Sequence, residues 1–288
     1  MTYSFDGKVA IVTGAGGGLG RCHALELASR GAKVLINDLG GAMDGTGGSS
    51  EAAQAVVAEI EAAGGTALAN GGSVSDPAGA ASIVKDAMDA WGRIDILINN
   101  AGILRDKSFA KMGIDDFKMV IDVHLIGTAM VTSAVWPIMK EQNYGRIVMT
   151  TSPSGLYGNF GQANYSAAKL GQVGMMNTLK IEGAKNNIHT NAIAPVAITR
   201  MTENLIPEGA HDTLGPEHIT KAVVYLCTED APNGVIVQAA GRKYSIACMV
   251  ENEGVTFSDD ASVEDIGAEF EKITDLNGAQ PRGMLQLS

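Results

Sequence analysis

Residues 8–20, KVAIVTGAGGGLG, constrain this chain more than any other stretch. KVAIVT reads as a short buried strand, apolar and rich in β-branched residues. Gly14, Ala15, Gly16, Gly17, Gly18, Leu19 and Gly20 follow, and then a helical run, RCHALELASRG. Strand, glycine-rich turn and helix start open a βαβ unit. Glycines permit the tight turn and a close backbone approach to a pyrophosphate. The helix N-terminus supplies amide donors and a positive dipole end. The spacing, Gly14-xxx-Gly18-x-Gly20, is not GxGxxG, and a glycine turn alone is a weak signal. The flanking strand and helix make Gly14, Gly18, Leu19 and Gly20 candidate dinucleotide contacts.

KVLIN at 33–37 reads as the next strand, with Asp38 at its end. A carboxylate about 20 residues past the glycine turn accepts hydrogen bonds from the ribose hydroxyls of NAD and repels the extra phosphate of NADP. No Arg or Lys in 39–50 would accommodate that phosphate. The cofactor expected is NAD. The alternative for Asp38 is an ordinary turn residue at a strand end.

YSAAK at 165–169 sets Tyr165 and Lys169 four apart on one helix face. A phenol titrates near about 10, and a neighbouring ammonium lowers that value. The pair is therefore a candidate general acid/base near neutral pH. Alone, YxxxK also describes many solvated surface pairs.

TGAGGGLG (13–20), NNAG (99–102), Ser152 and YSAAK occur in the order found in the short-chain dehydrogenase/reductase family, which this chain resembles. Ser152 precedes Tyr165 by thirteen residues, the family's spacing; Thr150, Thr151 and Ser154 are its neighbours. Further segments, NDLGG (37–41), NNAGILRD (99–106), YGRIVMT (144–150) and YGNFGQANYSAAKLG (157–171), are similar to the (3R)-hydroxyacyl-CoA dehydrogenase modules of peroxisomal multifunctional β-oxidation enzymes. The likeness is strong from about residue 8 to 203. It implies hydride transfer between a secondary alcohol and nicotinamide. Tyr165 then handles the proton, Ser152 holds the substrate oxygen, and Lys169 lowers the Tyr165 pKa and bonds the nicotinamide ribose. It also implies a cofactor pocket shaped by Asn99, Ala101 and Gly102, an adenine contact at Ser73 and Val74, and further cofactor contacts at Pro195 and Thr199. Two positions depart from the family pattern. His124, in VHLIG, replaces the usual Asn, whose main-chain carbonyl holds a water linked to the lysine. Its side chain is either a proton relay or a packed histidine. Pro195-Val196 replaces the family's Pro-Gly turn.

Composition narrows the class. At 288 residues and 45% apolar residues the chain is long enough for one large α/β domain. Net charge is −11, with no basic cluster, so nucleic acid is not an expected partner. Cys22, Cys227 and Cys248 have no metal-ligand spacing and read as buried thiols of a reducing compartment; no metal is expected. No signal-like leader, no SKL-type ending and no apolar run near 18 residues stand out, so the expectation is a cytoplasmic protein with no membrane span.

Period and punctuation predict strands at 8–13, 33–37, 66–70, 94–99, 145–151, 188–193 and 234–238. Helices are predicted near 18–30, 50–63, 77–91, 115–141, 163–184 and 216–228. The alternation predicts a single doubly wound Rossmann-type α/β domain with a parallel sheet over 1–238. A C-terminal extension, 239–288, is expected to pack on that domain or on a partner subunit. The long helices carry Val120, Val123, Met130, Val131, Leu170, Val173 and Leu179, and the resemblance implies a homodimer or homotetramer.

The substrate stays open between classes. An acyl-CoA needs cations for its phosphates, and Arg105, Lys107 and Lys111 offer them, unless they are plain surface charges. A steroid alcohol needs an apolar cleft, to which Met175, Met176 and Met201 are candidates. An inactive NAD-binding regulatory protein is the remaining alternative, opposed by the presence of both Tyr165 and Lys169.

Overall fold

The computed structural model describes residues 3–42, 44–49, 51–197 and 214–281. Contacts divide the chain into two units, Met1–Ile246 and Ala247–Ser288. In the first, strands and helices alternate from β1 (Val9–Thr13), α1 (Gly18–Ser29), β2 (Lys33–Asn37), α2 (Glu51–Ala62), β3 (Thr66–Asn70) and α3 (Pro77–Trp91) to β4 (Ile96–Asn99). They continue with α4 (Ile114–Ile121), a π-helical turn (Asp122–Ile126), α5 (Gly127–Gln142), β5 (Gly145–Thr150), α6 (Pro153–Tyr157) and α7 (Ala163–Gly183). The run ends with β6 (Ile188–Val196), α8 (Pro216–Leu226), β7 (Ile236–Ala240) and β8 (Lys243–Ala247). The second unit pairs β9 (Val250–Glu251) antiparallel with β10 (Gln280–Pro281) and holds two short helices, α9 (Val263–Ala268) and α10 (Phe270–Thr274).

The sheet order is β3-β2-β1-β4-β5-β6-β7-β8. The pairs from β3 through β7 are parallel. Every residue of β1 is buried, as befits a central parallel strand covered on both faces. From β1 the chain winds outward to β3, then crosses back to place β4 on the other side of β1. That reversal opens a crevice beyond the carboxyl ends of β1 and β4, where such folds bind ligands.

Local signals fix the helices. Asp76 caps α3 by accepting from Gly79 N at 2.8 Å, Pro77 takes the first turn, and Gly92 ends the helix at φ 72°. Three departures from the sequence reading have physical reasons. Gly234 at φ 86° extends the turn before β7, so β7 starts two residues later than expected. Pairing with the displaced β7 draws β6 on to Val196, opposite Ala240, so Pro195-Val196 ends a strand where a turn was expected. The edge strand β8 was not foreseen; its residues are mostly exposed and lack alternation.

The run Ile114–Gln142 is, contrary to expectation, long and apolar enough by length and composition to cross a membrane. It packs against α3 and α7 and buries His124, Thr128 and Thr132. Of the three thiols Cys227 is buried, Cys22 half-buried and Cys248 exposed, so the expectation of buried cysteines fails at Cys248.

His23 on α1 is fully buried against α8, its Nδ1 2.8 Å from Thr220 Oγ1. Burial pushes its pKa down to about 3. The unfolded chain takes up a proton near pH 6.5 that the folded chain refuses, so this stability is lost as pH falls from 6.5 towards 3. The expected slope is about 1.4 kcal/mol per pH unit for each such histidine. Denaturant titrations at stepped pH should show it, and His23→Leu should remove one histidine's share. Thr220 keeps a partner in that variant, since its hydroxyl also donates to Pro216 O at 3.1 Å.

Candidate active site

Beyond the ends of β1, β4 and β5 lies a cleft of about 510 Å³. Its floor is the glycine turn. A Cβ on Gly14 would stand 2.7 Å from Ala101 Cα, and one on Gly20 2.4 Å from Gly14 O. Gly14 and Gly18 adopt φ of 63° and 53°, which favours glycine. Thr13 Oγ1 accepts from the main-chain N–H of Asn100 at 3.0 Å and of Ala101 at 3.1 Å. Asn100 Nδ2 donates to Thr13 O at 3.0 Å and Gly14 O at 2.9 Å. Turn and NNAG segment are thus one hydrogen-bonded body.

Asp38 stands at one end of the cleft. Its Oδ2 accepts from Gly16 N and its Oδ1 from Gly40 N, both at 2.7 Å. The two bonds fix the carboxylate's orientation and leave a further lone pair on each oxygen. Ser73 and Val74 face the cleft nearby, with Ser73 Oγ 3.1 Å from Ser75 Oγ. At the other end Ser152, Tyr165, Lys169 and His124 come together, with Pro195, Ala101 and Gly102 also facing the cleft. The start of α1, at Gly18 and Leu19, borders it as well. A side-chain-free floor, an open helix N-terminus and an acceptor at the far end fit a dinucleotide.

Not every expected residue sits in the cleft. Asn99 turns away: its amide donates to Thr132 Oγ1 on α5 at 3.0 Å, and Asn100 takes the cleft-facing place. Gly20 acts in packing beneath the turn. Met176 is buried in the core and Met175 is not part of the cleft; its apolar wall is Ile103, Leu104, Met119 and Val123. Thr199 and Met201 fall outside the described residues. Arg105 and Lys107 are already engaged, with Arg105 Nη1 3.1 Å and Lys107 Nζ 2.8 Å from the two carboxylate oxygens of Asp116. Arg105 Nε also donates to Asp44 O at 2.8 Å. Of the three candidate cations for phosphates, Arg105 and Lys107 are thus held in ion pairs with one carboxylate. Lys111 is exposed.

The titrating groups differ from the sequence argument. Ser152 caps α6, its Oγ accepting from Ser154 N at 3.1 Å. Lys169 is buried, donates from Nζ to Thr150 O, and stands 5.5 Å from the Tyr165 ring centroid. Burial pulls its pKa down to about 7. Burial pushes Tyr165 up to about 12, opposed by a side-chain hydrogen bond with Ser152 and reinforced by the charge of Asp106. The Tyr165 pKa thus moves opposite to the lowering expected from the ammonium, because burial disfavours the charged forms of phenol and lysine alike.

His124 belongs to the π-turn, and its buried ring meets the Tyr165 ring edge-on at 5.1 Å and 84°. Its Nε2 lies 3.0 Å from Ile103 N and 2.7 Å from Ile103 O. Burial, then the charge of Lys169, hold its pKa well below the usual imidazole value, so the ring is neutral. A Cβ on Gly102 would come within 2.2 Å of His124 Cε1, which explains the last glycine of NNAG. The His124 carbonyl, expected to hold a water, accepts from Gln172 Nε2 at 2.6 Å.

The sequence reading missed a polar string ahead of Tyr165. Gln162 Nε2 donates to Asp106 Oδ2 at 2.6 Å, and Asn159 Nδ2 donates to Gln162 Oε1 at 3.0 Å. Asn159 and Gln162 both face the cleft. Their place in GNFGQANY, just before the tyrosine, was the available signal.

Comparison with known proteins agrees with this geometry. The family model described as short chain dehydrogenase matches residues 8–210. A short-chain type dehydrogenase/reductase of Mycobacterium tuberculosis is 51% identical over 277 residues, covering 96% of this chain and 97% of its own. The full-length peroxisomal multifunctional enzyme type 2 of Drosophila melanogaster superposes with a TM-score of 0.83 at 40% identity, over 98% of this chain and 48% of that one. A 7α-hydroxysteroid dehydrogenase, solved with NADH and 7-oxo glycochenodeoxycholic acid, gives 0.75 at 28% identity over 84% of this chain and 97% of its own.

Proposed function

The chain belongs to the short-chain dehydrogenase family and is an oxidoreductase, and from that premise we propose that it interconverts a secondary alcohol and a ketone using NAD, with a (3R)-hydroxyacyl-CoA as substrate. The observation that carries the reading is the convergence of Ser152, Tyr165 and Lys169 at the end of the cleft opposite Asp38. When bound, NAD would supply the hydride acceptor for oxidation of the alcohol carbon, and NADH the hydride donor for reduction of the ketone. Ser152 holds the substrate oxygen. In reduction Tyr165, a neutral phenol with its raised pKa, gives its proton to that oxygen. In oxidation the phenolate takes the proton back, and protonated Lys169 favours the phenolate. Residues 14, 18, 38, 73, 74 and 101 are assigned to the dinucleotide. His124 is assigned a positioning part through its contact with the Tyr165 ring.

The acyl-CoA assignment is supported by the likeness to multifunctional enzyme type 2, of which this chain spans about half. A hydroxysteroid is the second reading, favoured by the apolar wall and by the steroid in the 7α-hydroxysteroid dehydrogenase structure. A cytoplasmic site of action belongs to the same proposal and fits three free thiols. So does a homo-oligomer, for which exposed Met119, Ile126, Leu170 and Ile181 on α4, the π-turn and α7 offer apolar surface.

Tyr165→Phe should abolish turnover, by about 10²–10⁴-fold, while NAD binding followed by fluorescence stays. Ser152→Ala should cost about 10²–10³ in kcat; a Phe variant with near-normal kcat refutes the mechanism.

NAD should be preferred to NADP in kcat/KM, and Asp38→Ala should narrow the preference. A wild type that prefers NADP removes the role given to Asp38.

NADH absorbance on a panel of 3-hydroxyacyl-CoA esters and hydroxysteroids decides the substrate class. Because both already pair with the Asp116 carboxylate, Arg105→Ala and Lys107→Ala should change KM for the CoA ester by less than about threefold, whereas a large rise that salt suppresses would put them on the phosphates.

Light scattering should give a multiple of 29.8 kDa; a monomer at micromolar concentration counts against the oligomer.

A further inference from the structure

Gln172 follows Lys169 by three residues on α7, so the two side chains share a helix face. Both are buried, Gln172 completely. The chemistry above makes no use of Gln172, yet a fully buried amide gives up water at both of its ends. Its Nε2 donates to the main-chain carbonyl of His124 at 2.6 Å and lies 3.0 Å from Thr128 Oγ1. A carbonyl only accepts, so the amide nitrogen must face it. Gln172 Oε1 then finds no hydrogen-bond partner among the described residues. An acceptor left unsatisfied in the interior costs stability, and Leu or Met would fill the same volume without that cost. The fold tolerates the loss where the amide nitrogen serves two acceptors, the His124 carbonyl and Thr128 Oγ1.

That carbonyl sits at a sensitive place. A π-turn shifts helical hydrogen bonding to i→i+5 and leaves carbonyls short of their regular partner; here Gly127 N returns to Asp122 O. The His124 side chain then meets two parts of the site, the Ile103 main chain through Nε2 and the Tyr165 ring edge-on. The absence of a Cβ at Gly102 gives the ring its seat. Movement of the His124 backbone therefore moves the ring against Tyr165 and the NNAG segment together.

We propose that Gln172 is a positioning residue for the alcohol–ketone interconversion: its amide pins the His124 carbonyl, the pinned π-turn seats the His124 ring, and the ring sets Tyr165 and the Gly102–Ile103 main chain. The catalytic consequence rests on the dehydrogenase reading; the structural linkage does not.

Gln172→Leu keeps the volume and removes the donor. Circular dichroism should be unchanged, KM for NAD should stay within about twofold, and kcat should fall about tenfold, the worth of one hydrogen bond. In a His124→Ala background the same change should cost less than about twofold, because the ring through which it acts is gone. His124→Asn replaces that background if the alanine variant does not fold. Amide hydrogen exchange is read on the proteins without substrate or cofactor, and Gln172→Leu should speed it at 122–128 and at Ile103. An unchanged kcat, or an equal fall in both backgrounds, overturns the proposal. If the wild type turns over no secondary alcohol, the dehydrogenase reading fails, and exchange alone decides: faster exchange at Ile103 upholds the linkage and unchanged exchange overturns it.

Discussion

The close approach of β1 and β4 at their carboxyl ends is the constraint on which the site depends. A Cβ on Gly14 would stand 2.7 Å from Ala101 Cα, closer than real contacts allow, so no side chain fits between the two strand exits. Thr13 and Asn100 lock that approach through main-chain and side-chain hydrogen bonds. The lock fixes the turn that orients Asp38 through Gly16, and it fixes NNAG, whose last glycine seats His124. Both ends of the cleft therefore take their geometry from one pair of strand ends. Loops attached to a rigid sheet edge can be set to the tolerance hydride chemistry requires.

Burial, more than charge pairing, governs the titrating groups. Lys169 at about 7 and Tyr165 at about 12 are displaced towards their neutral forms, as low dielectric demands. Near neutral pH the lysine is close to its midpoint. A small change in local charge therefore shifts its protonation strongly. Asp106 pushes the same way as burial, and its link to Gln162 ties that carboxylate to the cleft wall.

Much of this was legible in the sequence wherever a local rule acts alone. Glycine turn, strand β2 with Asp38, and α3 between Asp76-Pro77 and Gly92 follow from short-range chemistry. Features set by distant partners were not legible. Asn99 and Asn100 are adjacent and alike, and only the strand's final parity tells which faces the cleft. The π-turn leaves the helical period of 115–141 intact to the eye. Asp116, nine to eleven residues beyond Lys107 and Arg105, becomes their partner only when α4 folds back. Gln172 looks like one more polar residue in a mixed helix until the His124 carbonyl is placed above it.

The wall formed by residues 103–107 has a consequence for selectivity. Asp116 pairs with both Arg105 and Lys107, Lys107 N donates to Gly161 O at 2.9 Å, and Asn164 Nδ2 donates to Arg105 O at 3.1 Å. The loop is thus clamped by its main chain, and most of its charge is compensated. What it presents inward is Ile103 and Leu104, facing Met119 and Val123. As a substrate wall such a surface would discriminate by shape and apolar area, where one methylene is worth about 1–3 kcal/mol. On the proposed acyl-CoA reading the acyl chain would meet this wall, and the phosphates would engage this pair only in competition with Asp116. On the steroid reading the same wall suffices by itself. The two substrate classes therefore part over the phosphates, outside the hydride chemistry, and one set of reacting groups serves either.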